Sequence, residues 1–331
     1  MKKKNSLIRR IVNRIKYILW AKTIFIRYIV GESISLLKYN AYFRKEADKE
    51  KIETELLIIT HSIEKGFSYR NPKEAFAHDK IMTLIENLKL YYSSFGDVDF
   101  LSQCCSIINF YIEAYRDNLK IKDIIDNYTS LVNMFDLKLE NGGVAEINCE
   151  EICHQVKSID YVSFIRCRHS YRYFRKENVD TQVITSALEL AELTPTACNR
   201  QPQHVYILNG EKKDFLLDLQ MGCKGFMSEM HTVIYITINQ KRYIKEWNQS
   251  YIDGGLYAMN LIYAFHSQGI GTIPLTTGAI DMSSRRKICR KLGIPMQEIP
   301  IMIIGIGYME NVTKVNYSKR NSWKTYTQFL S

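Results

Sequence analysis

Apolar positions set the first division of the chain. Near its start, Leu7, Ile8, Ile11, Val12, Ile15, Ile18 and Leu19 recur every three or four residues, while Arg9, Arg10, Asn13, Arg14 and Lys16 fall between them. That period predicts a helix with one apolar stripe and a cationic remainder. The same spacing runs through 73–92, 98–118 and 120–135, broken at Gly96 and by the turn-type pair Asp117-Asn118. The stretch from 46 to 140 therefore reads as a set of helices. Beyond Tyr161 the period changes. A helical stretch from Thr181 to Leu193, capped by Asp180, gives way to the strand-like run Gln203–Leu208.

Composition adds a boundary. The 331 residues suggest two domains at roughly 100–200 residues each. With 46% apolar and 24% charged residues, a wholly disordered or low-complexity chain is excluded. The net charge of +10 is unevenly placed: residues 1–45 hold twelve Lys or Arg and one acid, Glu32, whereas the rest carries 33 bases and 34 acids. Lys16, Lys22, Arg27 and Glu32 deny residues 1–45 a membrane-spanning window, and Arg9, Arg10 and Arg14 break the apolar core a signal peptide would need. Two readings of this segment remain: docking on an anionic membrane surface or a partner, or packing on the chain's own body. Nucleic acid is not expected, since no recognition motif accompanies the charge. Eight cysteines without a CxxC pair read as reduced thiols of a cytoplasmic protein. Cys149, Cys153 and His154 fit no zinc spacing, and no metal site is expected.

The chain thus divides into a basic amphipathic helical segment (1–45), a helical region (46–145) and a chemistry-bearing domain (155–331). In the helical region, His61 and Glu64 would share one helix face, as an acid/base or ligand pair or as a helix-end hydrogen bond. Asn141-Gly142-Gly143 marks a turn before a polar connection.

Candidate chemistry concentrates after Tyr161. Arg168, Ser170 and Arg172 alternate, so an extended backbone points all three one way and His169 and Tyr171 the other. Two guanidinium groups flanking a hydroxyl suit a phosphate dianion. Further on, Pro195 and Pro202 bracket a rigid polar loop carrying Thr196, Asn199 and Gln201, side chains suited to a planar ring with many acceptors. Cys198 has no paired His in the sequence, so a thiol nucleophile is not expected.

Arg-His-Ser-Tyr-Arg at 168–172, followed by Pro-Thr-Ala-Cys-Asn-Arg-Gln-Pro at 195–202 and a strand, resembles the FMN-dependent nitroreductase superfamily. Asp253-Gly254-Gly255 with the helix through Leu256–Gln268, the run Gly269–Gly278 and the strand Ile299–Gly307 continue the resemblance, which covers about 160–331. It implies an α+β fold, a central mostly antiparallel sheet flanked by helices, preceded here by an all-α region. It also implies FMN held between the protomers of a homodimer, with Arg168, Ser170, Arg172, Lys319 and Arg320 on the phosphate. Thr196, Asn199, Gln201, Thr276 and Thr277 would lie at the ring. NADH or NADPH would reduce the flavin, which would pass electrons to a small acceptor in a ping-pong cycle that needs no catalytic side chain. Only about a dozen residues, Asn239 to Ser250, separate the strand Val233–Ile238 from the central helix, where many relatives carry a longer helical lid. The flavin face should be more open unless the N-terminal helices cover it. The helical region also resembles, more loosely, one that precedes nitroreductase domains encoded with bacterial surface-polysaccharide genes. That suggests a cell-envelope acceptor and work at the inner face of the cytoplasmic membrane. A scaffold that keeps the fold without turnover is the non-enzymatic alternative, and the clustered arginines argue against it.

Overall fold

The computed structural model describes residues 2–44, 48–69, 75–134, 142–278, 280–316, 318 and 320–330. Its first part is helical: α1 (Lys2–Tyr39), α2 (Lys49–Phe67), α3 (His78–Phe95), α4 (Val98–Tyr115) and α5 (Lys122–Met134). Asp48 and Asp97 start α2 and α4 by accepting from Lys51 N and Phe100 N, and Gly96 closes α3 at a φ of 64°. Ile63, Leu84, Leu88, Ile108, Tyr111 and Leu131 join α2–α5 around one apolar core. α3 begins later than its apolar period suggested, because Ala75 and Ala77 turn at positive φ. Gly142 and Gly143 lie against α4, where a Cβ would overlap Ser106 or Phe110. Asn141 falls outside the described residues. An exposed connection follows, α6 (Cys149–Lys157) and α7 (Tyr161–Cys167), neither of which buries a residue.

The rest is α+β: α8 (Thr181–Glu192), β1 (Gln203–Asn209), α9 (Gly210–Gln220), β2 (Thr232–Asn239), α10 (Gln249–Ser267), β3 (Ile270–Thr276), α11 (Met282–Leu292) and β4 (Glu298–Tyr308). The strands form one antiparallel sheet in the order β1-β2-β4-β3. Alternation along β2 feeds two layers. Ile234 and Ile236 pack with α8 and α10, and Val233 and Tyr235 with α9 and α11. The central sheet and its flanking helices match the expected fold. One detail differs: Asp180 precedes α8, but its carboxylate accepts from Tyr308 OH at 3.1 Å and makes no cap hydrogen bond.

Among the described residues, α1 joins the body along its last turns. Ser35 Oγ donates to Gln240 Oε1 at 2.6 Å, and Arg285 Nη1 donates to Glu32 Oε1 at 3.4 Å. Phe25, Ile26, Ile29, Ile34 and Leu37 remain exposed. Of the apolar stripe expected from the sequence, Leu19 is the member whose side chain is described, and it too is exposed. No described helix is long and apolar enough to cross a membrane.

Candidate functional site

After α7 the chain extends along β3. Ser170 pairs in parallel with Thr272, and Tyr171 N donates to Thr272 O at 3.0 Å. Arg168, Ser170 and Arg172 line one cavity of about 500 Å³, and Arg320 joins them from the chain's far end. Arg166 lines it as well, so four guanidinium groups surround one space. Among the described residues none of the four has a carboxylate partner; Arg172 Nη1 donates to Asn316 Oδ1 at 3.2 Å and its guanidinium lies over the Phe226 ring. Such a concentration of unpaired positive charge in a concave space favours a multiply charged anion. One expectation fails here. His169 lines the same cavity instead of pointing away, while Tyr171 packs against the sheet's apolar layer.

The loop from Thr194 to Pro202 is strained. Cys198, Asn199 and Gln201 have φ of 50°, 50° and 46°, a region non-glycine residues rarely occupy. Each such residue costs of order 1–3 kcal/mol and persists only where its surroundings impose it. Asp253, fully buried on α10, does the imposing. It accepts from Ala197 N at 3.3 Å, from Tyr243 OH at 2.8 Å and from Gln249 Nε2 at 2.8 Å. Burial, reinforced by Asp253, pushes the Tyr243 hydroxyl far above the ordinary tyrosine range, so it stays a donor. Arg200, also buried, donates from Nε to Ala197 O at 2.8 Å, pairs with Glu246 and lies over the Tyr243 ring. Thr196 serves the loop itself, its Oγ1 accepting from Gln201 N at 3.1 Å.

Shaped from behind in this way, the loop offers Cys198 and Asn199 to a second cavity, of about 580 Å³. Its opposite wall comes from α2 and α4, through Thr60, His61, Glu64 and Gln103, and from residues 142–145. His61 Nδ1 stands 3.4 Å from Glu64 Oε2, the one-face pairing their spacing predicts.

The remaining candidates are dispersed. Gln201 is exposed beside Asn199. Thr276 ends β3, its carbonyl accepting from Gln220 Nε2 at 3.2 Å, and Thr277 Oγ1 donates to Ile301 O at 3.1 Å. Neither lines either cavity. Lys319 lies outside the described residues. One protomer therefore does not bring the arginine set and Asn199 into a single cavity. Along α10, Asp253 beneath the loop and Tyr263 beside the arginines are ten residues, about 15 Å, apart. Sequence reasoning missed Arg166, Asn316 and the anchoring role of Asp253. Arg166 reaches the cavity from the last turn of α7, outside the extended run, and the others meet the site only through tertiary packing.

The sheet, its flanking helices and the guanidinium cluster beside the central helix define an α+β domain in the C-terminal half. Residues 165–223 and 217–308 match the nitroreductase family. That match lies within the C-terminal half of the chain.

Solved structures resemble the same half. A nitroreductase family protein from Streptococcus pneumoniae TIGR4 is 21% identical over 52% of this chain and 100% of its own, with a TM-score of 0.45. An FMN-dependent nitroreductase from Clostridium difficile R20291 is 19% identical over 51% of this chain and 99% of its own, with a TM-score of 0.42. A nitroreductase with bound FMN from Desulfitobacterium hafniense DCB-2 is 19% identical over 51% of this chain and 97% of its own, with a TM-score of 0.41. Among curated proteins nothing matches.

Proposed function

We propose that the protein is an FMN-dependent oxidoreductase that takes electrons from NADH or NADPH and passes them to a small organic acceptor. The arginine-lined cavity carries this reading. Arg168, Ser170, Arg172 and Arg320 would hold the phosphate, with Arg166 beside them, and the donor set fits a dianion. Lys319 keeps the same proposed role. Asn199, Gln201 and the main chain near Thr276 and Thr277 would meet the ring, with Thr196 fixing the loop. Bound FMN supplies the hydride chemistry, and the protein supplies position and charge.

The working unit in this reading is a homodimer. Arginines and loop line separate cavities within one protomer, and a two-fold pairing across α10 would bring one protomer's loop to its partner's arginines. Exposed Leu190, Leu193, Ile252, Leu256 and Met259 on and beside α8 and α10 supply an apolar seam for that pairing. α1 would hold the dimer at an anionic membrane surface, its exposed apolar residues flanked by Lys22 and Arg27. The same exposed helix favours a second reading, a cell-envelope precursor as the acceptor.

Purified full-length protein should be yellow, with flavin absorbance near one FMN per chain. A colourless preparation that takes up no added FMN would overturn the enzyme reading.

A further inference from the structure

The helical region forms one wall of a cavity whose other wall is the strained loop, and the family match does not extend to it. Its position is built, not incidental. α2 lies against 197–199, and ion pairs fasten it to the body: Glu50 to Lys241 at 2.8 Å and Glu53 to Arg242 at 2.5 Å. The cavity's volume is also that of an ordinary small-molecule site.

Its chemistry contrasts with that of the arginine cavity. Thr60, His61, Gln103 and Asn199 offer neutral donors and acceptors above the apolar floor of Leu57. Among the described lining residues, Glu64 supplies the one carboxylate and no Lys or Arg stands beside it. A carboxylate in a partly enclosed space repels a second anion at short range, where the effective dielectric is well below that of water. We infer that this cavity binds the electron acceptor, and that it selects an uncharged, hydrogen-bonding molecule over its anionic counterpart. The inference rests on the flavin reading for the word acceptor; the cavity and its charge preference do not.

The experiment uses two probes of nearly equal shape, neutral 4-nitrobenzamide and anionic 4-nitrobenzoate. Each is titrated calorimetrically into full-length protein without electron donor, before and after saturation with FMN. The amide should bind at least about tenfold more tightly than the carboxylate, the scale expected for one close like-charge contact. Glu64→Gln should narrow that difference by strengthening carboxylate binding. His61→Trp, which fills the cavity from a half-exposed position, should abolish binding of both probes and leave the flavin content per chain unchanged. Equal affinity for the two probes in the unaltered protein would overturn the charge preference. Undiminished probe binding by a flavin-bearing His61→Trp protein would overturn the site. Failure of the flavin reading shows separately, as protein that takes up no FMN, and the probe titrations decide the cavity in that case as well.

Discussion

Three residues in left-handed backbone within one short loop mean that the loop's shape is imposed by what stands behind it. Asp253 is the centre of that support: one buried carboxylate accepts from a backbone amide, a tyrosine hydroxyl and a glutamine amide. Asp253→Ala would leave Ala197 N and the Tyr243 hydroxyl without their acceptor, at about 1–3 kcal/mol for each buried donor. A lower melting temperature and reduced FMN retention are the expected results, read by calorimetry and flavin absorbance. Arg168→Ala should act on the ligand alone. Loss of one charge-assisted partner predicts about 1.5–3 kcal/mol weaker FMN binding, measured by fluorescence titration, and an unchanged dissociation constant would place the phosphate elsewhere. At this scale the shared cavity of Arg168, Ser170 and Arg172 was legible from their spacing, although His169 lines it too. Asp253 was not. Its partner Ala197 is 56 positions away, and no local pattern marks a carboxylate as the anchor of a distant loop.

Adjacent glycines give α10 two unlike faces. A Cβ at Gly254 would come within 2.7 Å of Ile301, so Gly254→Ala should destabilise the fold by about 1–3 kcal/mol through overpacking. Gly255 has open space around it in the protomer, beside exposed Leu256 and Met259. Gly255→Trp should leave the fold intact yet convert the proposed dimer to monomer, as sedimentation would show. Which glycine approaches the sheet and which faces outward is set by the helix's rotation, which the pair of glycines in the sequence does not specify. In the helical region, His78 bonds Asp123 at 3.0 Å and ties the start of α3 to α5. The Asp123 hydrogen bond raises the His78 pKa above the ordinary imidazole value, and His78 lowers that of Asp123. The histidine's contribution is complete below its unfolded pKa, about 6.5, and fades as pH rises through the raised folded value. The aspartate's is present above about 3.9 and fades as pH falls through its lowered folded value. Both groups are substantially solvated, so the pair contributes under about 1 kcal/mol. Melting temperatures should show a small fall between pH 6 and 9 that His78→Gln removes.

Across the whole molecule, charge is sorted by place. The surplus that suggests a polyanion partner sits within residues 1–45, and in the body Arg166, Arg168, Arg172 and Arg320 line one cavity. Flotation with anionic vesicles should fall sharply when residues 1–45 are removed; equal flotation would return α1 to a packing role. The division into a helical region and an α+β region was legible from the change of hydrophobic period. Their meeting was not, because His61 and Asn199 come to one cavity through long-range packing that no window of sequence contains. The seam between them has an uneven construction. Asp48, Glu50 and Glu53 face Lys241 and Arg242, while the covalent link through α6 lies wholly in solvent. A chain cut within α6 should therefore stay together as two fragments held by ionic contacts. Such fragments would part in high salt and recombine on dilution, so assembly of the cavity between them could be switched by ionic strength in a split version of the protein.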